Sequence, residues 1–264
     1  MLDAYIDIQA SGNTNFSLFY LTNSSEVVEL ESLIIGEHTY NNEQNFFAWF
    51  GDVSAQSYRQ QFTHQYLKQA SFHFEEQSLN QMIKGVQTEE LFAHFTNGQV
   101  VPVQLKKLNF RPSTSESNIF QNEGSFSSNQ GIQGYILKAA EEVRMDAIKL
   151  PDSLIHKMNL KVQVQSHTLS NNLDVNQIAR KDWEEIDAPL YTDIEWPLEL
   201  KKGDSVGLIF QVKYSNSHID IVYDWTGVTD IGQAFTYSFP LQIEPTLENQ
   251  DVIDIVQKAR GEHR

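Results

Sequence analysis

The sequence predicts a mainly β, α+β protein: an antiparallel β-barrel or sandwich, with a small N-terminal strand and helix region and a C-terminal helix. Three observations predict it. Apolar residues alternate with polar ones in many short runs. Turn residues separate those runs at roughly ten-residue intervals. Helical spacing is confined to a stretch after Ser54 and to the last twenty or so residues.

The elements follow in order. Ile6 and Ile8 alternate with Asp7 and Gln9. Residues 11–15 punctuate, Phe16, Leu18 and Tyr20 resume the period of two, and Val28 and Leu30 continue it after a second turn at 23–25. Phe46, Phe47, Trp49 and Phe50 form a dense aromatic knot that reads as core. From Ser54 the spacing changes. Tyr58, Phe62, Tyr66 and Ala70 recur every fourth residue, which predicts an amphipathic helix with Gln60, Gln61, Gln65 and Gln69 on its wet face. A second, short helix is expected over 89–95, closed by Asn97 and Gly98.

After Gly98 strands dominate. Residues 111–131 are rich in Ser, Asn, Gln and Gly and read as a long loop. Residues 132–150 carry mixed signals, with β favoured by Gly131, Gly134 and the neighbouring strands. Leu160, Val162 and Val164 share a face, as do Val206, Leu208 and Phe210, then Ile219, Ile221 and Tyr223, then Phe235, Tyr237 and Phe239. Residues 214–217 predict a hairpin and 201–204 a tight turn. Leu247, Val252, Ile255 and Val256 predict the terminal helix, with acids in its first turns, Lys258 and Arg260 in its last, and Gly261 after it. The organisation expected is 1–96 as strands followed by helices, 97–245 as barrel or sandwich, and 246–264 as helix and tail.

Charge and composition exclude more than they assign. The 264 residues carry 35 acids against 19 bases, a net of −16, which repels nucleic-acid phosphates and anionic lipid. No nucleic acid and no membrane are therefore expected as partners. No cysteine is present, so disulfide frameworks, Cys-based zinc sites and thiol catalysis are out. Acids near the N-terminus and the lack of a long apolar run point to a cytoplasmic protein. Glycine-rich dinucleotide and phosphate loops, Gly-x-Ser-x-Gly and His-Glu-x-x-His are all missing, so no catalytic residue is assigned. His64, His73 and His94 match no metal-ligand spacing and are expected to be ordinary surface histidines.

One constellation carries a binding expectation. Trp183, Glu184 and Glu185, followed by Tyr191 and Trp196, set carboxylates beside aromatics, a mixture suited to a cation, a basic peptide or a sugar face. The leading expectation is a non-catalytic binding or assembly module without a cofactor, whose partner is another protein or a second copy. A carbohydrate-binding sandwich using Trp183 and Trp196 is an alternative.

A second alternative comes from likeness. Residues 97–102, Asn-Gly-Gln-Val-Val-Pro, lead into a strand over 103–110. Gln133-Gly134-Tyr135 follows, then Pro189 to Trp196 before the 201–204 Lys-Lys-Gly-Asp turn, and a strand ending at Trp225. Over 97–245 this series resembles the C-terminal β-barrel of protein arginine methyltransferases. The resemblance implies S-adenosylmethionine as cofactor and a protein N-methyltransferase-like activity. It places the cofactor's glycine-rich turn at residues 7–15, with Asp7 and Gly12 as contacts and Glu29, or else Glu31, as ribose partner. Gln9 and Asn15 stand there where the family has glycines.

Overall fold

The computed structural model describes residues 1–10, 14–42, 58–75, 91–103, 105, 107–112, 118–128, 131–148, 158–166, 174–212 and 216–261. The chain divides into two compact units. The first comprises Met1–Thr114, Ser215–Val222 and Leu241–Arg264, and the second Ser115–Tyr214 and Tyr223–Pro240.

The first unit contains β1 (Ala4–Ala10), β2 (Thr14–Asn23), β3 (Leu30–Ile35), β4 (His38–Asn41), β5 (Gln60–Gln61), β6 (Gln65–Phe74), β7 (Leu91–Phe95), β8 (Val100–Pro102) and β9 (Lys107–Pro112). β2, β6 and β5 form one antiparallel sheet, and β4, β3, β7 and β8 another. Their facing side chains make one apolar core that includes Phe16, Leu18, Leu33, Phe72, Phe74 and Phe95, with Ile6 and Ile8 of β1. Gly98, at φ +81°, closes the β7–β8 turn, a conformation that favours a residue without Cβ.

The second unit begins with β10 (Phe120–Ser127), β11 (Ile132–Ala139), β12 (Val143–Met145) and β13 (Met158–Gln165). A single helical turn, α1 (Val175–Ile178), precedes two 3₁₀ turns at Trp183–Glu185 and Tyr191–Asp193. β14 (Leu198–Leu200) and β15 (Ser205–Val212) follow. β16 (His218–Thr229) and β17 (Ala234–Ile243) each give one part to either unit, and α2 (Asn249–Ala259) belongs to the first. β10, β11, β15 and β13 form an antiparallel sheet. The second unit's core is aromatic: Phe210 stacks on Tyr223 at 5.6 Å, and Phe120 stacks on Trp225 at 6.2 Å.

The protein is thus mainly β with a C-terminal helix. The sheets are open, and no closed barrel forms among the described residues. No helix among them is long and apolar enough to cross a membrane. The strand preference at 132–139 and the turn at 201–204 hold: Asp204 N donates to Lys201 O, and the Asp204 carboxylate accepts from Lys201 N at 2.9 Å. The terminal helix also forms, started by Glu248 N donating to the Asp251 carboxylate at 2.7 Å.

Four expectations need correction. The helix expected from Ser54 is replaced over its described part by β5 and β6. A spacing of four residues is about one helical turn, but it is also two strand repeats. Lys68 sits on the buried face with Ala70, Phe72 and Phe74, and a lysine there hid the alternation. The short helix over 89–95 is strand β7 from Leu91, with Leu91, Ala93 and Phe95 inward. Within the 111–131 loop lies β10, an edge strand that pairs with β11 through its backbone and therefore tolerates polar side chains. The hairpin expected at 214–217 lies partly outside the described residues, but the strands on either side of it do not pair: β15 lies between β11 and β13, whereas β16 pairs with β1, β12 and β17. The hairpin is β16–β17, turned at Thr229–Gln233. The aromatic knot at 46–50 and Gly12 lie outside the described residues.

One arrangement departs from the antiparallel rule. β1 runs parallel to both β16 and β9, with Asp7 opposite Ile221 on one side and Asn109 on the other. Strands in such a position are buried on both faces, as Ile6 and Asp7 both are.

α2 is held to the first unit by Leu247 and Val252, which pack with Leu2, Phe19 and Leu67. The Gln60 side chain adds a two-point clamp. Its Oε1 accepts from Leu247 N at 3.0 Å, and its Nε2 donates to Leu247 O at 3.3 Å. Gln60→Ala is expected to raise the hydrogen-exchange rates of α2 amides about tenfold, through loss of about 1–2 kcal/mol of local stability. Unchanged α2 exchange would show that the clamp contributes nothing.

Candidate functional site

The described residues singled out from the sequence fall in two regions, one in each unit. In the second, Trp183 stands in a 3₁₀ turn that follows α1. It packs with Ile132, Ile136, Ile178, Ile186 and Ile209, so the segment from 174 to 188 covers the outer face of the β11–β15 pair. Lys161 of β13 fixes this cover. Its Nζ donates to the carbonyls of Trp183 at 2.7 Å and Ile186 at 2.8 Å, and lies 4.7 Å from the centroid of the Trp183 ring. Glu184 and Glu185 are exposed, and the Glu185 carboxylate accepts from Asp182 N.

Tyr191 and Trp196 form a separate group. Their rings are 5.2 Å apart, Trp196 packs edge-on against Trp225 at 6.2 Å, and Tyr191 OH donates to Ile148 O at 2.9 Å. Of the predicted aromatics Trp183 is buried and Tyr191 and Trp196 are half-buried against their neighbours, whereas the carboxylates are exposed. Asp182, Glu184, Glu185, Asp187, Asp193 and Glu195 are all exposed, with Arg180 and Lys181 at the start of the segment.

In the first unit the two described residues of the cofactor reading have different partners. Asp7 is buried and accepts from Arg111 Nε at 2.6 Å, Arg111 Nη2 at 2.8 Å and Asn109 Nδ2 at 3.0 Å. Glu29 pairs with buried Lys68 through Oε1 and accepts from Tyr20 OH through Oε2 at 3.0 Å. Lys68 Nζ also donates to Val28 O, and Tyr20 OH accepts from Leu30 N at 3.1 Å. Burial pushes the Tyr20 hydroxyl well above the usual tyrosine range, so it stays a neutral donor to Glu29. Nothing in the sequence pointed to Lys68. It was read as part of a helix, and it meets Glu29 across 39 residues of chain.

This cluster braces one wall of an open cavity of about 250 Å³. Its lining residues are Met1, Tyr20, Thr22, Asn23, Glu26, Gln65, Asn97 and Gln99, with the apolar Leu21, Val28, Phe95, Val101 and Val256. Three connections set the frame. Ser24 N donates to His64 O across the β2–β6 end, Thr96 N donates to Glu29 O, and Phe95 N donates to Gln99 O across the β7–β8 turn. Sequence reasoning missed these residues because amides in turns look like ordinary loop composition.

The three histidines considered for metal have different surroundings. His73 pairs with Asn15 at 2.6 Å, His94 lies 3.4 Å from Glu31, and His64 is exposed beside the β5–β6 turn. No protein-family model matches the chain, and no curated protein matches it.

Proposed function

We propose that the protein is a non-catalytic binding module that docks a positively charged protein surface on the segment from Asp182 to Glu195. The observation that supports this is the division of that segment: its aromatics are packed down, Trp183 under the Lys161 clamp, while its carboxylates all face solvent. A braced backbone loses little conformational freedom on binding, and an array of exposed carboxylates on it attracts a partner's lysines and arginines through many modest contacts. The net charge of −16 adds long-range attraction for the same class of partner.

Octalysine is a suitable probe, with octaglutamate as control. Octalysine is expected to bind at about 50 mM salt and to be released at about 0.5 M, where screening extends only a few ångströms. The triple variant Glu184→Gln, Glu185→Gln, Asp187→Asn should weaken binding about tenfold. A variant of equal charge elsewhere, Glu142→Gln, Glu199→Gln, Asp230→Asn, should weaken it much less. Equal losses in the two variants would reduce the effect to overall charge and remove the assigned surface.

A further inference from the structure

Asn97 is the one asparagine of the chain that is followed by glycine. The pair sits in the β7–β8 turn, and residues 96–100 are all exposed. Two backbone bonds close the turn: Gly98 N donates to Phe95 O at 2.8 Å, and Phe95 N donates to Gln99 O at 2.9 Å. The Asn97 side chain folds back over it. Its Oδ1 accepts from Gln99 N at 3.1 Å, and its Nδ2 has no partner among the described residues. Thr96 ties the turn to the residue before β3: its N donates to Glu29 O at 2.9 Å, and its Oγ1 accepts from Glu29 N at 3.0 Å.

An asparagine side chain is an electrophile at Cγ, and the backbone nitrogen of the next residue is a nucleophile that can reach it by closing a small ring. Three features of this turn favour that closure. Gly98 carries no Cβ beside the attacking nitrogen, and open space surrounds it. The Gln99 N–H stands on Oδ1, the atom that becomes negative as the nitrogen adds, and so stabilises the charge that develops there. Nδ2, the leaving group, is unpinned on an exposed residue. One feature opposes closure: Gly98 N is committed to Phe95 O and must be released first. That bond lies in an exposed turn beside β8, a three-residue strand whose one sheet neighbour among the described residues is β7. It therefore opens locally and not with the core. The other described asparagines lack this combination. Asn23 and Asn216 precede serines, of which Ser24 N is held by His64 O and Ser217 is buried. Asn15, Asn109 and Asn159 stand within strands, before Phe or Leu.

We propose that Asn97 is a site of spontaneous deamidation, with the β7–β8 turn setting its rate. Gly98 N gives its proton to solvent base and bonds to Asn97 Cγ. The Cγ–Nδ2 bond breaks, and Nδ2 takes a proton from water and leaves as ammonia. Water then opens the resulting succinimide at either carbonyl, which yields aspartate or isoaspartate. Nothing is oxidised or reduced, and water is the sole co-reactant. Aspartate adds one negative charge to the turn. Isoaspartate also lengthens the backbone by one carbon, so the two hydrogen bonds that close the turn no longer fit together. β8 then loses its pairing with β7, and the cavity loses the support of Val101.

Peptide mapping of the full chain by mass spectrometry, after storage at neutral and at mildly alkaline pH, tests this by reading amide, aspartate and isoaspartate at every asparagine. Position 97 should convert about tenfold faster than Asn23 and Asn216, whose following serines place a Cβ beside the attacking nitrogen. Its rate should rise with hydroxide, since Gly98 N must lose a proton. Thr96→Val removes the bond to Glu29 N and should speed conversion about fivefold by loosening the turn. Hydrogen exchange of the stored protein reads the consequence. Phe95 N should lose protection in the parent chain but not in Asn97→Ser, which keeps a side-chain acceptor for Gln99 N and has no amide to lose. Conversion at position 97 no faster than at Asn23 and Asn216, a rate that Thr96→Val leaves unchanged, or equal exchange at Phe95 in the stored parent and stored Asn97→Ser would each overturn the proposal.

Discussion

Asp7→Ala is expected to lower the unfolding free energy by about 3 kcal/mol, with the slope of urea unfolding unchanged. The carboxylate sits on β1, the strand paired on both edges, and is 1 % exposed. Arg111 grips it with two nitrogens, at 2.6 and 2.8 Å, and Asn109 adds a third bond. A bidentate pair of this kind is short and directional. Removing one partner leaves a guanidinium and an amide facing a cavity. Arg111 is 31 % exposed and regains some water, which places the loss at the lower end of the range for broken buried pairs.

The double variant Asp7→Leu, Arg111→Leu should recover most of the loss, since apolar packing replaces the pair without desolvating a charge. Equilibrium urea unfolding of the three proteins decides the matter. A loss under about 1 kcal/mol for Asp7→Ala would mean that the strand order, and not the ion pair, holds β9 beside β1.

The second large effect concerns pH. His218, at the start of β16, is fully buried. A carbonyl only accepts, so Nδ1 must carry the proton it donates to Ile243 O at 3.0 Å, and Nε2 is left without a partner among the described residues. Burial pushes its pKa down from 6.5 to about 4, against a smaller upward effect of that hydrogen bond. Asp220, two residues along the same strand, is pushed up by burial from 3.8 to about 6.

The two groups act in opposite senses. As pH falls from 6.5 towards 4, the unfolded chain protonates its histidine and the folded chain does not, so stability is lost, by about 3 kcal/mol in all. As pH falls from 6 towards 3.8, the folded chain already holds a proton on Asp220 that the unfolded chain lacks, so about 3 kcal/mol is gained. The pair nearly cancels in the parent protein. Asp220→Asn stays neutral throughout and removes the second contribution. The variant should be more stable than the parent at pH 7, and that advantage should disappear by about pH 4. Urea unfolding at a series of pH values measures the difference directly, and a difference independent of pH would show that Asp220 does not titrate in this window.

Much of the strand content was open to reading. Phe16, Leu18 and Tyr20, or Leu160 and Val162, alternate because one face of each strand meets a core. α2 was legible for the same reason at the helical period, with its dipole charges in place. β6 was not, because Lys68 occupies an inward position that a sequence pattern counts as outward. β10 was not, because only Phe120 and Phe126 of its eight residues are large and apolar, and the polar residues between them hid the alternation. The outward turn of Glu184 and Glu185 was partly visible, whereas the inward turn of Trp183, Tyr191 and Trp196 depended on Lys161, Ile148 and Trp225.

The sequence by itself determined the class of the fold, most of its strands, its terminal helix and its negative charge, because each is a property of neighbouring residues and their periodicity. Only the tertiary structure decided the parallel placement of β1, the pairing of Asp7 with Arg111 and of Lys68 with Glu29, and the gathering of Thr22, Gln65 and Gln99 around one cavity. Those partners lie tens of residues apart along the chain. What joins them is sheet order and register, set by the burial of whole faces at once, and no local pattern records it.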